Sequence, residues 1–297
     1  MNKPASLSGW LLASDIDGTL NDKRRHLPSR NRHAIRRFVY DCGGTMILAS
    51  GRSIASMRRH FEKLHLNSGY AVFLNGAGIY DYKNEQILWK HCVDAETEQI
   101  IRDAAKKFSA VRVQIVTATQ VRMVRPDLGA WILALSSRLE RKYYRKVDDL
   151  PSGDWCKAIF TGPTPAINKV QAYIAERNNG ETGNLMRSSV ASFEVVGKGT
   201  NKGVAVMKVA ELLDIDPSHT AAIGDYYNDW EMLKAVAVPA CCGQAPKKIK
   251  EIVQLVTCHC DRGAVADLIE YLIAHYASAD EAARLTKEES YGYENKT

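Results

Sequence analysis

Two acidic side chains after a short apolar run are the first residues in this chain that could perform chemistry. Asp15 and Asp17 follow the apolar residues 10–12 and precede Gly18. Side chains two residues apart on a strand point to the same face. The spacing therefore predicts that both carboxylates converge at the carboxyl end of a strand, where open α/β sheets bind ligands.

The charge of this carboxylate pair favours a bound cation. Two carboxylates held in one place repel each other unless a proton or a cation lies between them. Mg²⁺ suits this position because it prefers oxygen ligands and is commonly held by one or two carboxylates together with a substrate phosphate. The alternative is an acidic turn after a strand, since aspartate and glycine are both common in turns.

Further polar residues follow predicted strands or begin a predicted helix. They are Ser50, Gly51 and Arg52 after the strand 45–49, Asn75 after the strand 70–74, Lys202 at a helix start, and Asp225, Asn228 and Asp229 after the strand 220–223. Each has an ordinary alternative as a helix cap, a turn residue or a solvated lysine. A single chemistry would account for all of these residues together, so it is a stronger interpretation than a separate ordinary role for each.

The elements that must position these residues alternate along much of the chain. Predicted helices separate the predicted strands at 45–49, 70–74, 220–223 and 235–238, and a last helix is predicted over 264–276. This order favours a parallel sheet with right-handed crossovers. Residues 85–192 instead mix helices with adjacent strands, which is typical of an α+β domain. The predicted fold class is α/β, with a doubly wound, Rossmann-like parallel-sheet core and an inserted α+β domain.

Composition limits the partners to be expected. Apolar residues make up 45% and charged residues 25% of the 297, which is typical of a soluble globular protein. The chain has no run of about 18 apolar residues, so no membrane span is expected. Its start does not resemble a signal peptide, so we expect a cytoplasmic protein. Its basic clusters lack interleaved aromatic residues, so nucleic acid is not an expected partner.

The seven cysteines are scattered, and without a secretory signal they are expected to be reduced thiols. Cys258 and Cys260 flank a histidine, and Cys241 and Cys242 are adjacent, which raises the possibility of zinc. Neither pair has the two to four intervening residues that are usual between structural zinc ligands. The spacing therefore disfavours a zinc site.

Taken in order, the polar residues resemble the four motifs of the haloacid dehalogenase (HAD) superfamily of aspartate-based phosphohydrolases. The first motif, DxDGT, begins at Asp15, and the last, GDxxND, spans Gly224–Asp229. Ser50 and Lys202 match the second and third motifs. The long insertion between these two residues resembles the Cof-type branch (class IIB) with its α/β cap. That branch often has threonine where this chain has Ser50, and the hydroxyl is retained.

The resemblance implies catalytic roles for three residues. Asp15 would attack phosphorus and form an aspartyl-phosphate, which divides one difficult step into two. Asp17 would protonate the leaving oxygen and then activate water. Lys202 would hold phosphoryl oxygens and stabilise charge as the bond loosens.

The resemblance also implies a Mg²⁺ site and a set of phosphate or substrate contacts. The expected Mg²⁺ ligands are Asp15, Asp17 through its carbonyl, Asp225 and Asp229. The expected phosphate or substrate contacts are Gly18, Ser50, Gly51, Arg52, Asn75 and Asn228. Glycine allows backbone amides to approach a phosphate closely because it has no side chain.

These expectations define domains and an activity. The HAD core is expected in residues 1–84 and 193–275, a substrate-selecting cap in 85–192, and a polar tail in 276–297. The expected activity is Mg²⁺-dependent hydrolysis of small phosphate monoesters, such as sugar phosphates or phosphorylated cofactors. A sugar phosphomutase or other phosphotransferase is one alternative, and a non-catalytic sugar-phosphate sensor is another. The sequence leaves the natural substrate and the oligomeric state open.

Overall fold

The computed structural model describes residues 6–178, 185–189 and 191–277. Within this part the strands are β1 (Leu11–Ser14), β2 (Thr45–Ala49), β3 (Tyr70–Phe73), β4 (Gly78–Asp81), β5 (Gln86–Lys90), β6 (Arg112–Val116), β7 (Gln120–Val124), β8 (Glu140–Tyr144), β9 (Lys157–Thr161), β10 (Leu185–Ser189), β11 (Ser192–Val196), β12 (Thr220–Gly224), β13 (Val238–Cys241) and β14 (Leu255–Val256). The α-helices are α1 (Ser29–Arg36), α2 (Ile54–Leu64), α3 (Ala95–Lys107), α4 (Leu128–Ser136), α5 (Thr164–Arg177), α6 (Lys202–Leu212), α7 (Trp230–Ala235), α8 (Lys247–Lys250) and α9 (Ala264–Tyr276).

The chain folds into two compact units. The first comprises the described residues up to Ala49, His60–Tyr70 and those from Val206 onward. The second comprises the described residues of Ser50–Arg59 and Ala71–Ala205.

A parallel sheet forms the centre of the first unit. Its strands follow the order β14-β13-β12-β1-β2, and each neighbouring pair is parallel. All four residues of β1 are buried, as expected for a central parallel strand that is covered on both faces. Helices α1 and α9 pack against each other in this unit. This arrangement confirms the predicted Rossmann-like parallel-sheet core.

The second unit contains a six-stranded mixed sheet with the order β10-β11-β9-β6-β7-β8. All its pairs are antiparallel except β7 with β8. Helices α3 and α5 contribute to the hydrophobic core of this sheet, whose fully buried members include Ile101, Ala104, Val170, Ile174, Phe160 and Phe193. Sheet and helices together form the predicted α+β arrangement. The same unit contains β4 and β5, which pair as an antiparallel hairpin.

The predicted elements agree with the structure at several places and fail at one. The predicted bounds of β2 and α9 are those observed. The strand predicted at 235–238 is wrong, because α7 continues to Ala235 and β13 begins only at Val238. A short alanine-valine run suits the end of a helix as well as a strand, so periodicity alone does not separate the two. Residues 278–297, most of the predicted tail, lie outside the described residues.

Candidate functional site

Three carboxylates of the first unit form a compact group. One oxygen each from Asp15, Asp225 and Asp229 lies within 4.8 Å of the others. Asp15 is 4% exposed and Asp229 is fully buried. Buried carboxylates this close repel one another strongly unless a cation or a proton compensates their charge. The group therefore has the composition of a site for a hard divalent cation.

Sheet register brings two members of this carboxylate group together. β1 and β12 are parallel neighbours, and Ser14 is in register with Ile223. The Asp15 amide continues the pairing by donating to the Ile223 carbonyl at 3.0 Å. Asp15 and Asp225 thus both follow the carboxyl ends of adjacent parallel strands, where α/β folds bind ligands.

Asp229 is held against the group by the turn that follows β12. Its Oδ2 accepts hydrogen bonds from the backbone amides of Asp225 (2.9 Å) and Tyr226 (3.2 Å). A Cβ on Gly224 would lie 2.4 Å from the Asp229 carboxyl carbon, so a side chain at residue 224 would collide with this turn. Asp229 therefore orients Asp225 as well as adding its own charge.

Gly18 and two neighbours complete the packing around Asp225. Gly18 has a φ of +78°, and a Cβ there would lie 2.5 Å from Asp225 Oδ2. Thr19 donates through Oγ1 to Asp225 Oδ1 at 3.3 Å. Gln244 donates through Nε2 to the Gly18 carbonyl at 2.6 Å. Thr19 lies inside the first motif but has no expected role there, and no sequence pattern points to Gln244.

The structure corrects the geometric argument for Asp15 and Asp17. β1 ends at Ser14, and an irregular turn follows over Ile16–Leu20, in which Asp17 and Gly18 have non-helical backbone angles. Asp15 and Asp17 therefore lie beyond the strand and do not share a strand face. Asp17 is exposed, whereas Asp15 is buried. Among the described residues, the carboxylate group contains the Asp15 side chain and not that of Asp17. Asn228 is also exposed, in the short helical turn Tyr227–Asp229.

A second set of predicted residues meets within the second unit. Ser50 is buried, and its carbonyl accepts a hydrogen bond from the Asn75 amide at 2.9 Å. The Ser50 hydroxyl accepts from the Arg52 amide at 3.3 Å. A Cβ on Gly51 would lie 3.0 Å from Asn75 Oδ1, so this loop and the turn at Asn75 are in close contact. The structure thus brings together Ser50, Gly51, Arg52 and Asn75.

The alternative of Ser50 as a helix cap is not supported. The hydroxyl that caps the start of α2 belongs to Ser53, whose Oγ accepts from the Ser56 amide at 3.3 Å. The Ser50 hydroxyl instead accepts a hydrogen bond from the Arg52 amide, in the loop that precedes this helix.

Lys202 lies at the start of α6 with no solvent exposure. The interpretation of Lys202 as a solvated lysine is therefore wrong. The adjoining turn is tight, since a Cβ on Gly76, where φ is +102°, would lie 2.1 Å from the Asn201 carbonyl oxygen. Burying an ammonium group costs free energy, so lysine is rarely found fully buried. Its burial indicates a specific role.

A cavity of about 210 Å³ lies within the second unit. Its polar lining includes Arg52, Ser53, Gln114, Lys157 and Glu194. Lys157 and Glu194 form an ion pair with an N–O distance of 2.9 Å. Fully buried Gln114 donates to the Ala130 carbonyl, whereas its Oε1 has no hydrogen-bond partner among the described residues. Sequence patterns gave no indication of Gln114, Lys157 and Glu194, which lie on strands of the sheet.

The histidine-cysteine segment considered for zinc has a different local structure. Potential ligand atoms of His259, Cys260 and Asp261 lie within 4.8 Å of one another. They belong to consecutive residues, and the His259 ring accepts a hydrogen bond from the Asp261 amide at 3.1 Å. The described part of the chain does not bring Cys241 or Cys242 into this group.

Comparison with known proteins agrees with the fold. Residues 12–269 match the model of the haloacid dehalogenase-like hydrolase family, and the chain belongs to this family. Among its relatives is a phosphatase of Bacillus subtilis, YwpJ, which is 25% identical and aligns over 89% of this chain and 99% of its own length. An HMP-PP phosphatase of Yersinia pseudotuberculosis is also 25% identical, over 89% of this chain and 95% of its own.

Solved structures extend this similarity to the fold of most of the chain. A HAD subclass IIB sugar phosphatase superposes with a TM-score of 0.71 at 18% identity, covering 89% of this chain and 98% of its own. The expectation of a Cof-type HAD protein is confirmed, and the protein is a phosphoric monoester hydrolase of the HAD type. No helix in the described part of the chain is long and apolar enough to cross a membrane.

The contact between Gly18 and Asp225 predicts a specific effect of Gly18→Ala. The added methyl group would collide with the carboxylate and displace it from Asp15, so we expect phosphatase activity to fall by about 10²-fold or more. Gly9→Ala is the matched control, because Gly9 has a φ of +80° with no atom within 4 Å of the added Cβ. We would measure the activity and the unfolding midpoint of both variants. The comparison separates the effect of the collision from the effect of backbone strain. Equal activity in the two variants would contradict this role for Gly18.

Proposed function

We propose that this protein is a Mg²⁺-dependent phosphatase that hydrolyses small phosphate monoesters through an aspartyl-phosphate on Asp15. The buried group of Asp15, Asp225 and Asp229 is the observation that carries this proposal. In a HAD hydrolase, a nucleophilic carboxylate beside two further carboxylates at adjacent strand ends suits phosphoryl transfer near a cation.

The donor set fits Mg²⁺ better than a softer metal. Carboxylate oxygens are hard ligands, and the three of Asp15, Asp225 and Asp229 lie close enough together to share one ion. Asp17 would contribute its backbone carbonyl. When bound, Mg²⁺ would offset the repulsion between the carboxylates and the incoming phosphate. Thr19 and Gln244 would keep Asp225 and the Gly18 backbone in position.

Asp15 and Asp17 would have different roles because their surroundings differ. The buried Asp15 is fixed by its backbone pairing with β12, which suits a nucleophile that must approach phosphorus along one direction. Asp17 is exposed at a turn, and its carboxylate is not one of the three that lie within 4.8 Å of one another. It would give a proton to the leaving oxygen and then take one from the water that attacks the aspartyl-phosphate.

Ser50 and Lys202 would bind the transferred phosphoryl group. The Ser50 hydroxyl and the Lys202 ammonium group can donate hydrogen bonds to its oxygens, and the ammonium group also stabilises their charge. Gly18 and Gly51 would allow backbone amides to approach the phosphate, and Asn228 would orient Lys202 or a phosphate oxygen. Tight packing of Gly76 against the start of α6 fixes the position of Lys202.

We further propose that residues 85–192 act as a cap and that the 210 Å³ cavity receives the leaving group. This volume is below the range of roughly 300–1,000 Å³ that is common for larger ligands. Gln114 Oε1, which has no partner among the described residues, and the Lys157–Glu194 pair suit hydroxyl groups, which donate and accept hydrogen bonds, and amino groups, which donate them. Arg52 and Asn75 would contribute further substrate contacts. The relatives named for HMP-PP and for sugar phosphates make such small polar esters reasonable candidates.

We place this activity in the cytoplasm. All seven cysteines lie in the described part of the chain and are free thiols, which suits a reducing compartment.

Metal dependence and substrate choice can be measured together. We expect phosphate release from a panel of sugar phosphates, nucleotides and phosphorylated cofactors in Mg²⁺ and none above background in excess EDTA. Activity should return when Mg²⁺ is restored. Small hydroxyl-rich esters should be hydrolysed faster than nucleoside monophosphates, because the cavity is small.

Two other outcomes of the panel would contradict the phosphatase proposal. Isomerisation of a sugar phosphate without release of free phosphate would indicate a phosphomutase. Binding without turnover of any panel member, with folded protein and Mg²⁺ present, would indicate a sensor.

Substitution of the two aspartates tests their roles. We expect Asp15→Asn to lower turnover by at least about 10³-fold because the nucleophile is lost. Asp17→Asn should lower turnover by roughly 10²–10⁴-fold because both proton transfers are lost. Steady-state turnover, with circular dichroism as the check on folding, provides the measurement.

The matched control is Asp214→Asn, because Asp214 is an exposed aspartate of the same unit. It should keep the activity of the parent protein. More than a few per cent of parental activity in Asp15→Asn would exclude Asp15 as the nucleophile. A parental rate in Asp17→Asn would exclude the acid–base role.

A further inference from the structure

Two cysteines of the second unit lie side by side. Cys92 is in the segment between β5 and α3, and Cys156 immediately precedes β9. The Val93 amide donates to the Trp155 carbonyl at 2.8 Å, which holds the two segments together. This backbone hydrogen bond places Cys92 and Cys156 next to each other, and the two thiols are close enough for each to shift the pKa of the other. The fold therefore brings together two thiols that are 64 residues apart in sequence.

The environments of the two thiols differ in a way that suits sequential chemistry. Cys92 is partly exposed, so a small reagent from solvent can reach it. Cys156 has no exposed surface. One partner can therefore react with an external oxidant while the other is protected and stays beside it.

Charge stabilisation distinguishes Cys92 from the other cysteines. The hydrogen bond from Cys156 lowers the pKa of Cys92 to about 7, although burial opposes this shift. Lys90 also lowers the pKa of Cys92, whereas Asp154 and Glu98 raise it. The same thiol–thiol hydrogen bond and burial raise the pKa of Cys156.

The remaining cysteines are less suited to react. Burial raises the pKa of Cys42, Cys241, Cys242, Cys258 and Cys260. Since the thiolate is the reactive form, these residues are poorer nucleophiles at neutral pH than Cys92.

We propose that Cys92 and Cys156 form a reversible disulfide when the protein meets a hydroperoxide, with Cys92 as the attacking thiol and Cys156 as the resolving thiol. A reactive thiol that is accessible and has a second thiol in contact with it is the usual arrangement of a peroxide-sensitive pair.

The reaction balances with one molecule of hydrogen peroxide. The Cys92 thiolate attacks one peroxide oxygen, the O–O bond breaks, and hydroxide leaves and takes up a proton to form water. Cys92 is then a sulfenic acid. The Cys156 sulfur attacks the Cys92 sulfur, the S–S bond forms, the S–O bond breaks, and the second water leaves with the Cys156 proton. Two thiols are oxidised and one peroxide is reduced to two waters.

The position of the pair gives the disulfide a structural consequence. Cys92 lies on the chain segment that enters the six-stranded sheet and its helices, whereas the segment around Gly197 leaves them. These two segments are in contact, because the His91 ring bonds to the Lys198 carbonyl at 2.7 Å and a Cβ on Gly197 would lie 2.8 Å from the Cys92 carbonyl oxygen. A disulfide would tie the entering segment to the start of β9.

Peptide mapping of the full-length protein tests this proposal without any phosphatase assay. The reduced protein is treated with a few equivalents of hydrogen peroxide, the remaining thiols are alkylated, and the digest is analysed by mass spectrometry. We expect a peptide pair linked through Cys92 and Cys156 that disappears on treatment with dithiothreitol. Before oxidation, iodoacetamide at pH 7 should modify Cys92 about tenfold or more faster than Cys258.

Variants separate the roles of the two thiols. In Cys156→Ser, peroxide should produce a sulfenic acid on Cys92 that dimedone labels. In Cys92→Ser, Cys156 should remain reduced under the same treatment. Cys258→Ser is the matched control, because Cys258 is also partly exposed, and it should form the Cys92–Cys156 disulfide to the parental extent. Absence of the linked pair in the parent protein, or peroxide labelling of Cys258 ahead of Cys92, would overturn the proposal.

Discussion

Electrostatic repulsion among three carboxylates is the constraint on which the proposed active site depends. Asp15, Asp225 and Asp229 bring oxygens within 4.8 Å of one another, and two of the three side chains are buried. Such a group is costly in a folded protein unless its charge is compensated. The group is held in place by the register of the parallel strands and by the turn that Asp229 closes. Gly18 leaves room for Asp225 because it has no side chain. The structure therefore maintains an unfavourable concentration of negative charge that a divalent cation would relieve.

The second unit contains a buried positive charge. Lys202 is fully buried at the start of α6, and the strained turn before β4 packs against that start. Three consecutive residues of this turn, Leu74, Asn75 and Gly76, have positive φ values. Residues held in sparsely populated backbone conformations often occur at functional sites. Under the proposed function, phosphoryl transfer requires a nucleophile near a cation and donors for the phosphoryl oxygens.

The sequence predicted the fold class and the carboxylate group for different physical reasons. Strand and helix periodicity is local, so β2 and α9 could be placed to the residue, while an alanine-valine run misplaced β13. The resemblance to the HAD motifs implied that Asp225 and Asp229 lie beside Asp15, and the structure brings the three carboxylates together at the carboxyl ends of parallel strands. Gln244 could not be predicted, since its contact with Gly18 depends on residues 226 positions apart. Gln114 belongs to no sequence motif, so its place in the lining of the cavity is apparent only from the folded structure.

Trapping the phosphorylated enzyme tests the central claim, phosphoryl transfer to Asp15, most directly. Parent and Asp17→Asn proteins would be mixed with the best ester substrate in Mg²⁺, quenched in acid during turnover and digested for mass spectrometry. We expect a phosphoryl group on the peptide that contains Asp15, removable by hydroxylamine and more abundant in Asp17→Asn, where the second step lacks its base. Turnover without any phosphorylated peptide, or phosphorylation of a different residue, would contradict it.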